Sequence, residues 1–331
     1  MRVDAPQSVL AEEYVRPPLR DIVELACRAP SVHNTQPWLW RLDGDRIELH
    51  ADRRRQLPVA DPSGRNLVVS CGAALHHAEV AAAASGFPAE VTRLPDPDRT
   101  DHLATLRLVR GHRTPDAVAN LRALEARCTD RRRFTSWPIP PERLARLAAT
   151  ATSPETQVVP LVDASDRFRV ELLLSRAMSN EEADPRYAVE QRAWIDHSGR
   201  DGIPGAVLPT EWAPRPRPAS RFADRLETRP HLVEGTDGLL VIGTASDDPA
   251  SWLRAGEALS ILWLSATTES LSVVPLSQVV EVDETRRALE HDVLGDLLAP
   301  QILVRIGWQE ISRRQLPRTP RRQVDDVLMT W

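Results

Sequence analysis

Apolar residues along the chain recur with helical and strand periods in turn, and that alternation predicts most of its elements. Leu19, Ile22, Val23, Leu25 and Ala26 share one side of a helix over 19–27 that is led in by Pro17. Pro30 stops it, because proline disfavours helical geometry at the residue before it. Strand-like runs at 38–42 and 46–51, separated by Asp43-Gly44-Asp45, predict a hairpin. The alanine-rich stretch 67–85 reads as a buried helix ended by Gly86. Strands follow around 90–94 and 103–109, then a helix between 113 and 127. Pro140-Pro141-Glu142 opens another, with prolines first and an acid in the first turn. Residues 1–16 read as a polar lead-in.

The pattern then repeats. Gly72-Ala-Ala-Leu75 opens one apolar helix, and Gly256-Glu-Ala-Leu259 opens another 184 positions later. Each is followed by a short turn and strand-like runs, at 89–94 and at 273–280. Each half closes with a strand, at 105–109 and at 302–306. The leading helices, from Leu19 and from Leu144, are only 125 positions apart. The difference between 184 and 125 leaves about 59 extra residues in the second half. They include 184–229, rich in proline, arginine and tryptophan: Trp194, Trp212 and Pro214-Arg-Pro-Arg-Pro218. A connection of that length is an ordered cover over a site or a peripheral subdomain.

Composition narrows the chemistry. All 42 basic residues are arginine, which excludes Schiff-base and PLP chemistry and the P-loop lysine. With 14 glycines and no G-x-G-x-x-G, a dinucleotide-binding Rossmann unit is poorly supported. A net charge of −5 over 331 residues gives no reason to expect a nucleic acid partner. The opening Met-Arg-Val-Asp-Ala-Pro has no apolar core behind it, and no apolar run approaches the roughly 20 residues of a membrane span. The expectation is a cytoplasmic protein. Cys27, Cys71 and Cys128 are too dispersed for a zinc ribbon or a disulfide framework. His76 and His77 are adjacent on a helix and diverge by about 100°, so no metal is expected there.

One stretch carries sharper information: Arg28-Ala-Pro-Ser-Val-His-Asn-Thr-Gln-Pro-Trp38. A polar turn at a helix end presents short side chains and backbone N–H groups to a planar polar ligand. By itself it also reads as a helix stop with a tryptophan anchor. The whole segment resembles the Ala-Pro-Ser-x-x-Asn-x-Gln-Pro-Trp segment of the FMN-dependent nitroreductase superfamily, and Val32-His33 is similar to its Acg-like actinobacterial branch. A second segment, Arg127-Cys-Thr-Asp-Arg131, then Phe134 and Pro138-x-Pro140-x-Glu142, resembles the opening of those chains. There the segment commonly reads Arg-Arg-Ser-x-Arg. Here Thr129 replaces the serine and Cys128 the second arginine, and one residue of gap is needed. The tail Arg318-Thr-Pro-Arg321-Arg322-Gln-Val-Asp-Asp-Val327 resembles the family's basic C-terminal segment.

The resemblance implies an α+β nitroreductase-like fold. The family's opening lies mid-chain, so it also implies two fused halves, 1–115 and 116–331, that imitate the family's homodimer, with a lid inserted at about 184–229. It implies FMN held by Ser31, Val32, His33 and Asn34, by Pro275 and Leu276 at the flavin edge, and by Arg127, Thr129, Arg131, Arg318, Arg321 and Arg322 at the phosphate. His33 also reads as an ordinary turn histidine. The second half ends its helix in Ser153-Pro-Glu-Thr-Gln157 without Asn-x-Gln-Pro-Trp, so one FMN per monomeric chain is expected. The implied activity is reduction of nitroaromatics or quinones by NADH or NADPH, with no catalytic side chain and no metal. The alternative is an FMN sequestration protein whose lid bars the nicotinamide.

Overall fold

The computed structural model describes residues 16–205, 236–309 and 318–329. Trp212 and Pro214 to Pro218, like the lead-in 1–15, lie outside the described residues. In the first half, helix α1 (Leu19–Ala26) precedes strands β1 (Trp38–Asp43) and β2 (Arg46–Ala51). Helix α2 (Arg65–Ala84), strands β3 (Ala89–Arg93) and β4 (His102–Leu108), and helix α3 (Pro115–Ala126) follow. The second half repeats the plan with α4 (Pro141–Ala151) and β5 (Thr156–Pro160), then α5 (Ala164–Ala183) and α6 (Pro185–Ala193). It continues through β6 (Gly238–Thr244), α7 (Pro249–Thr268), β7 (Leu271–Leu276), α8 (Gln278–Glu281), α9 (Asp283–Asp292) and β8 (Ala299–Trp308). A last short helix, α10, spans Val324–Val327.

The described strands form two antiparallel sheets with one topology, β1-β2-β4-β3 and β5-β6-β8-β7. Their helices meet at the centre. A Cβ on Gly72 would sit 2.0 Å from the Leu253 carbonyl oxygen, and one on Gly256 would sit 2.0 Å from that of Val69. Gly72 and Gly256 are 184 positions apart, as are their partners Val69 and Leu253, and His76 Nδ1 meets Ser260 Oγ at 2.8 Å across the same offset. The two Gly-x-Ala-Leu helices therefore cross on a local twofold axis, and only glycine allows their backbones so close.

The sheets differ in what covers them. Sheet one packs its inner face on α1 and α2 around Trp38, Trp40, Ile47 and Leu106, while β3 alternates half-buried and exposed positions. In sheet two, Leu240 and Ile242 of β6 face the core that contains α4 and α7, while Leu239 and Val241 face Val170, Leu174 and Leu289 of α5 and α9. Every residue of β6 is buried. Hence β6 is a continuous apolar run, which periodicity alone does not separate from a buried helix. The strand expected over 273–280 ends at Leu276 and gives way to α8.

Among the described residues, one helix is long and apolar enough for a bilayer by length and composition. That helix is α2, and 83% of its most apolar window is buried inside the protein, where it forms the core.

Candidate functional site

The site begins at the turn after α1. The Ser31 hydroxyl accepts the Gln36 N–H (2.9 Å), and the Val32 N–H reaches the Ser70 hydroxyl on α2 (3.2 Å). His33, Asn34 and Gln36 adopt φ of +46°, +56° and +49°. Left-handed non-glycine residues each cost roughly 1 kcal/mol or more, and they persist where the surroundings over-determine them. Here the surroundings do so. Asn34 donates to the Gly202 and Pro320 carbonyls (2.8 and 3.0 Å) and accepts from Arg321 (3.0 Å). Gln36 donates to the Arg200 carbonyl (2.9 Å), and its side-chain oxygen accepts the Arg322 N–H (2.8 Å). The turn thus joins α1, the β5–β6 connection and the tail.

Above this junction lie two adjoining cavities that share Pro30, Ser31, Thr129, Arg131 and Ile203. The inner one, about 130 Å³, sits between α2 and α7, with Val69, Ala73, Leu259 and Trp263 in its walls. The outer one, about 770 Å³, is ringed by Arg20, Arg28, Arg127, Arg131, Arg318, Arg321 and Arg322 against Glu24, Glu125 and Asp325. All twelve residues singled out from the sequence line these cavities. Val32, His33, Pro275 and Leu276 face the inner one; Asn34, Arg127, Arg318, Arg321 and Arg322 face the outer; Ser31, Thr129 and Arg131 face both. An apolar slot that opens into a cationic chamber suits a ligand with a flat ring and an anionic tail.

No family model matches the chain. Rv3131 of Mycobacterium tuberculosis, which carries a provisional NAD(P)H nitroreductase name, is 38% identical over 320 residues, covering 94% of this chain and 90% of that protein. Acg of the same organism, named likewise, is 33% identical over 328 residues, covering 93% of this chain and 94% of its own. The chain belongs to the Acg-like branch of the nitroreductase superfamily. Its α+β architecture of two repeated halves is a nitroreductase-like fold. Among solved structures, oxidised iodotyrosine deiodinase bound to FMN and 3-iodo-L-tyrosine covers 60% of this chain and 95% of its own at 16% identity, with a TM-score of 0.41.

In this Acg-like chain the arginines divide by environment. Arg127 is buried, lies 4.8 Å over the Trp263 ring and donates to the Arg28 carbonyl. Desolvation lowers its pKa to about 9, and that of Arg321 to about 10. Arg321 also donates to Thr319 Oγ1 (2.6 Å) and the Arg28 carbonyl (3.2 Å), while Arg322 reaches the Gln36 carbonyl (3.2 Å). These three guanidinium groups hold backbone. Arg318, exposed on the chamber wall, pairs with no carboxylate among the described residues. Cys27 and Cys71 are buried thiols; burial raises both pKa values, that of Cys27 to about 12, so neither is a nucleophile at neutral pH.

Sequence reasoning missed part of the inner wall. Asn66 and Ser70 come from α2, where nothing but the helix pattern marked them. Arg305 stacks 4.1 Å from the Phe134 ring and pairs with Asp237 at 3.5 Å inside β8, a strand read only as core. From the β5–β6 connection come Gln191, Trp194, Ile195 and Ile203. Gln191 is 2% exposed, and neither atom of its amide has a partner among the described residues; Gln278 Oε1 is likewise unpartnered. A buried amide left unsatisfied costs about 1–3 kcal/mol per group. Both residues line the inner cavity.

Proposed function

We propose that this chain is a cytoplasmic, monomeric FMN flavoprotein. It carries one flavin between its halves, 1–115 and 116–331, and reduces nitroaromatics or quinones with NADH or NADPH. The observation that carries this reading is the apolar slot between α2 and α7 opening into an arginine-ringed chamber beside the strained Ser31–Gln36 turn. Ser31, Val32, His33, Pro275 and Leu276 would hold the ring, with Asn34 fixing the turn beneath it. Thr129, Arg131 and Arg318 would meet the phosphate, with Arg127, Arg321 and Arg322 setting the positive field and the backbone around it. FMN, when bound, supplies the hydride-transfer chemistry between nicotinamide and electrophile. The chain's own residues position it, desolvate one face and stabilise its negative charge; no side chain is required as acid, base or nucleophile.

One observation favours the second reading, FMN sequestration. The part of the cover that is described, within 184–205, is pinned to the first half. The Glu190 carboxylate accepts from Val59 N and Ala60 N (3.0 and 2.8 Å), Asp201 pairs with Arg55, and Asn34 and Gln36 hold the Gly202 and Arg200 carbonyls. A cover that stays fastened over bound flavin would bar nicotinamide. Anaerobic titration separates the readings. Bleaching of a 1:1 flavin band by NADH or NADPH supports the reductase; reduction by dithionite alone supports sequestration; no flavin after FMN is added overturns both.

A further inference from the structure

We infer that Gln191, on the cover helix α6, is a positioning residue for the flavin ring and reads its imide edge. The inference rests on the FMN reading above. A primary amide presents a donor and an acceptor side by side in one plane. The isoalloxazine imide edge presents the complement, an N3–H flanked by two carbonyl oxygens, so one amide satisfies two of its groups at once. Gln191 meets the requirements from the protein side. It lies on the wall of the inner cavity with Ser31 and His33, is 2% exposed, and leaves both Nε2 and Oε1 unpartnered among the described residues. Gln278, which follows β7 on the same cavity, adds a second unpartnered acceptor, Oε1, for the single N–H.

The backbone that carries this amide is held from both sides. Glu190, the residue before it, binds Val59 N and Ala60 N of the first half. Tyr187, one turn earlier, places its hydroxyl within hydrogen-bond reach of Glu181 and Glu281 of the second half (2.8 and 2.6 Å). Asp184 caps the helix through Arg186 N at 2.9 Å. Gln191 is therefore a buried amide on an anchored helix at the cavity wall rather than a mobile surface amide. Because it stands on a connection that the first half replaces with the two residues Gly44 and Asp45, it also ties cover and ligand to one site. A ring bound there fastens α6, and α6 in turn fixes the ring's orientation.

The test compares two flavins on the intact chain by fluorescence titration: FMN and 3-methyl-FMN, in which a methyl replaces the imide hydrogen. The unmodified chain is expected to bind FMN about tenfold or more tightly than the methyl analogue, the size of one good hydrogen bond. Gln191→Met, equal in length but without the amide, is expected to lose about tenfold in FMN affinity and most of the discrimination, with an unchanged circular dichroism spectrum and no lower flavin-free melting temperature. If the unmodified chain binds both flavins equally, or Gln191→Met keeps the preference, water satisfies the amide and the inference is overturned while the FMN reading stands. If the unmodified chain binds neither flavin, the FMN reading falls and the inference with it.

Discussion

The two halves share a strand order and differ in almost everything that a ligand would meet. In the first half, β1 and β2 are joined through Gly44 and Asp45 alone, and the φ of +59° at Gly44 makes the turn tight. In the second, the equivalent strands β5 and β6 are joined by residues 161–237, with α5 and α6 inside that connection. The consequences reach both faces of the protein. Helix α5 covers the outer face of sheet two, which makes β6 apolar throughout, whereas sheet one leaves β3 half solvated. Helix α6 crosses to the other half and walls the inner cavity above the Ser31–Gln36 turn. A common core thus fixes where the halves meet, and unequal loops decide which side of that meeting is a pocket.

The strongest way to break the comparison is at its axis. Gly72→Ala and Gly256→Ala each place a methyl 2.0 Å from a backbone oxygen of the facing helix, and each is expected to cost more than about 4 kcal/mol in urea unfolding, by similar amounts. Gly199→Ala, with nothing within 4 Å, is expected to stay within about 0.5 kcal/mol. Clearly unequal effects at 72 and 256 would mean that the twofold relation is geometric without being energetic.

The next largest effect tests the asymmetry. Asn34→Ala removes the bonds to Gly202, Pro320 and Arg321 and is expected to cost about 3 kcal/mol, with faster proteolysis at the tail and the cover. In the second half no such turn precedes β5, and the exposed side chain of Gln157 on that strand bonds to the Ser153 carbonyl (3.2 Å), so Gln157→Ala is expected to cost less than about 0.5 kcal/mol. Equal costs would remove the distinction between a kept turn and a reduced one.

A smaller effect concerns the ligand. Arg318→Ala is expected to lower FMN affinity about tenfold while leaving riboflavin affinity and the melting temperature unchanged, since this guanidinium holds no carboxylate among the described residues. An equal loss for riboflavin would move the phosphate elsewhere.

The last is a pH effect on the axis. Burial lowers the His76 pKa from 6.5 to about 4. The folded state resists the proton that the unfolded chain accepts, so this contribution is complete above pH 6.5 and is lost as pH falls toward 4. His76→Gln is expected to lose about 2 kcal/mol less stability than the unmodified chain between pH 7 and pH 5. Identical pH profiles would show that His76 is hydrated at the helix crossing.

Legibility followed the range of the interactions. Helices α1, α2 and α3, the β1–β2 hairpin and the end of α2 at Gly86 were written in local periods and turn residues, and the offset of 184 between the Gly-x-Ala-Leu segments marked the duplication. The twelve candidate residues were readable because ordered motifs carried them, and the fold gathers all twelve on two joined cavities. What those residues do in the folded chain was not readable. Asn34, Arg321 and Arg322 look alike as polar motif residues, yet their hydrogen bonds reach partners up to 293 positions away, so only the folded chain shows them holding backbone together.

By itself, then, the sequence determined the repeated core and the identity of the turn. Both rest on side-chain periodicity and on backbone preferences that act over a few residues. Tertiary structure alone decided that β6 is buried on both faces, that two glycines 184 positions apart touch across an axis, and that Gln191 ends on a cavity wall with its amide unpartnered. Burial and hydrogen-bond satisfaction depend on what arrives from the far side of the chain, and no local pattern records that arrival.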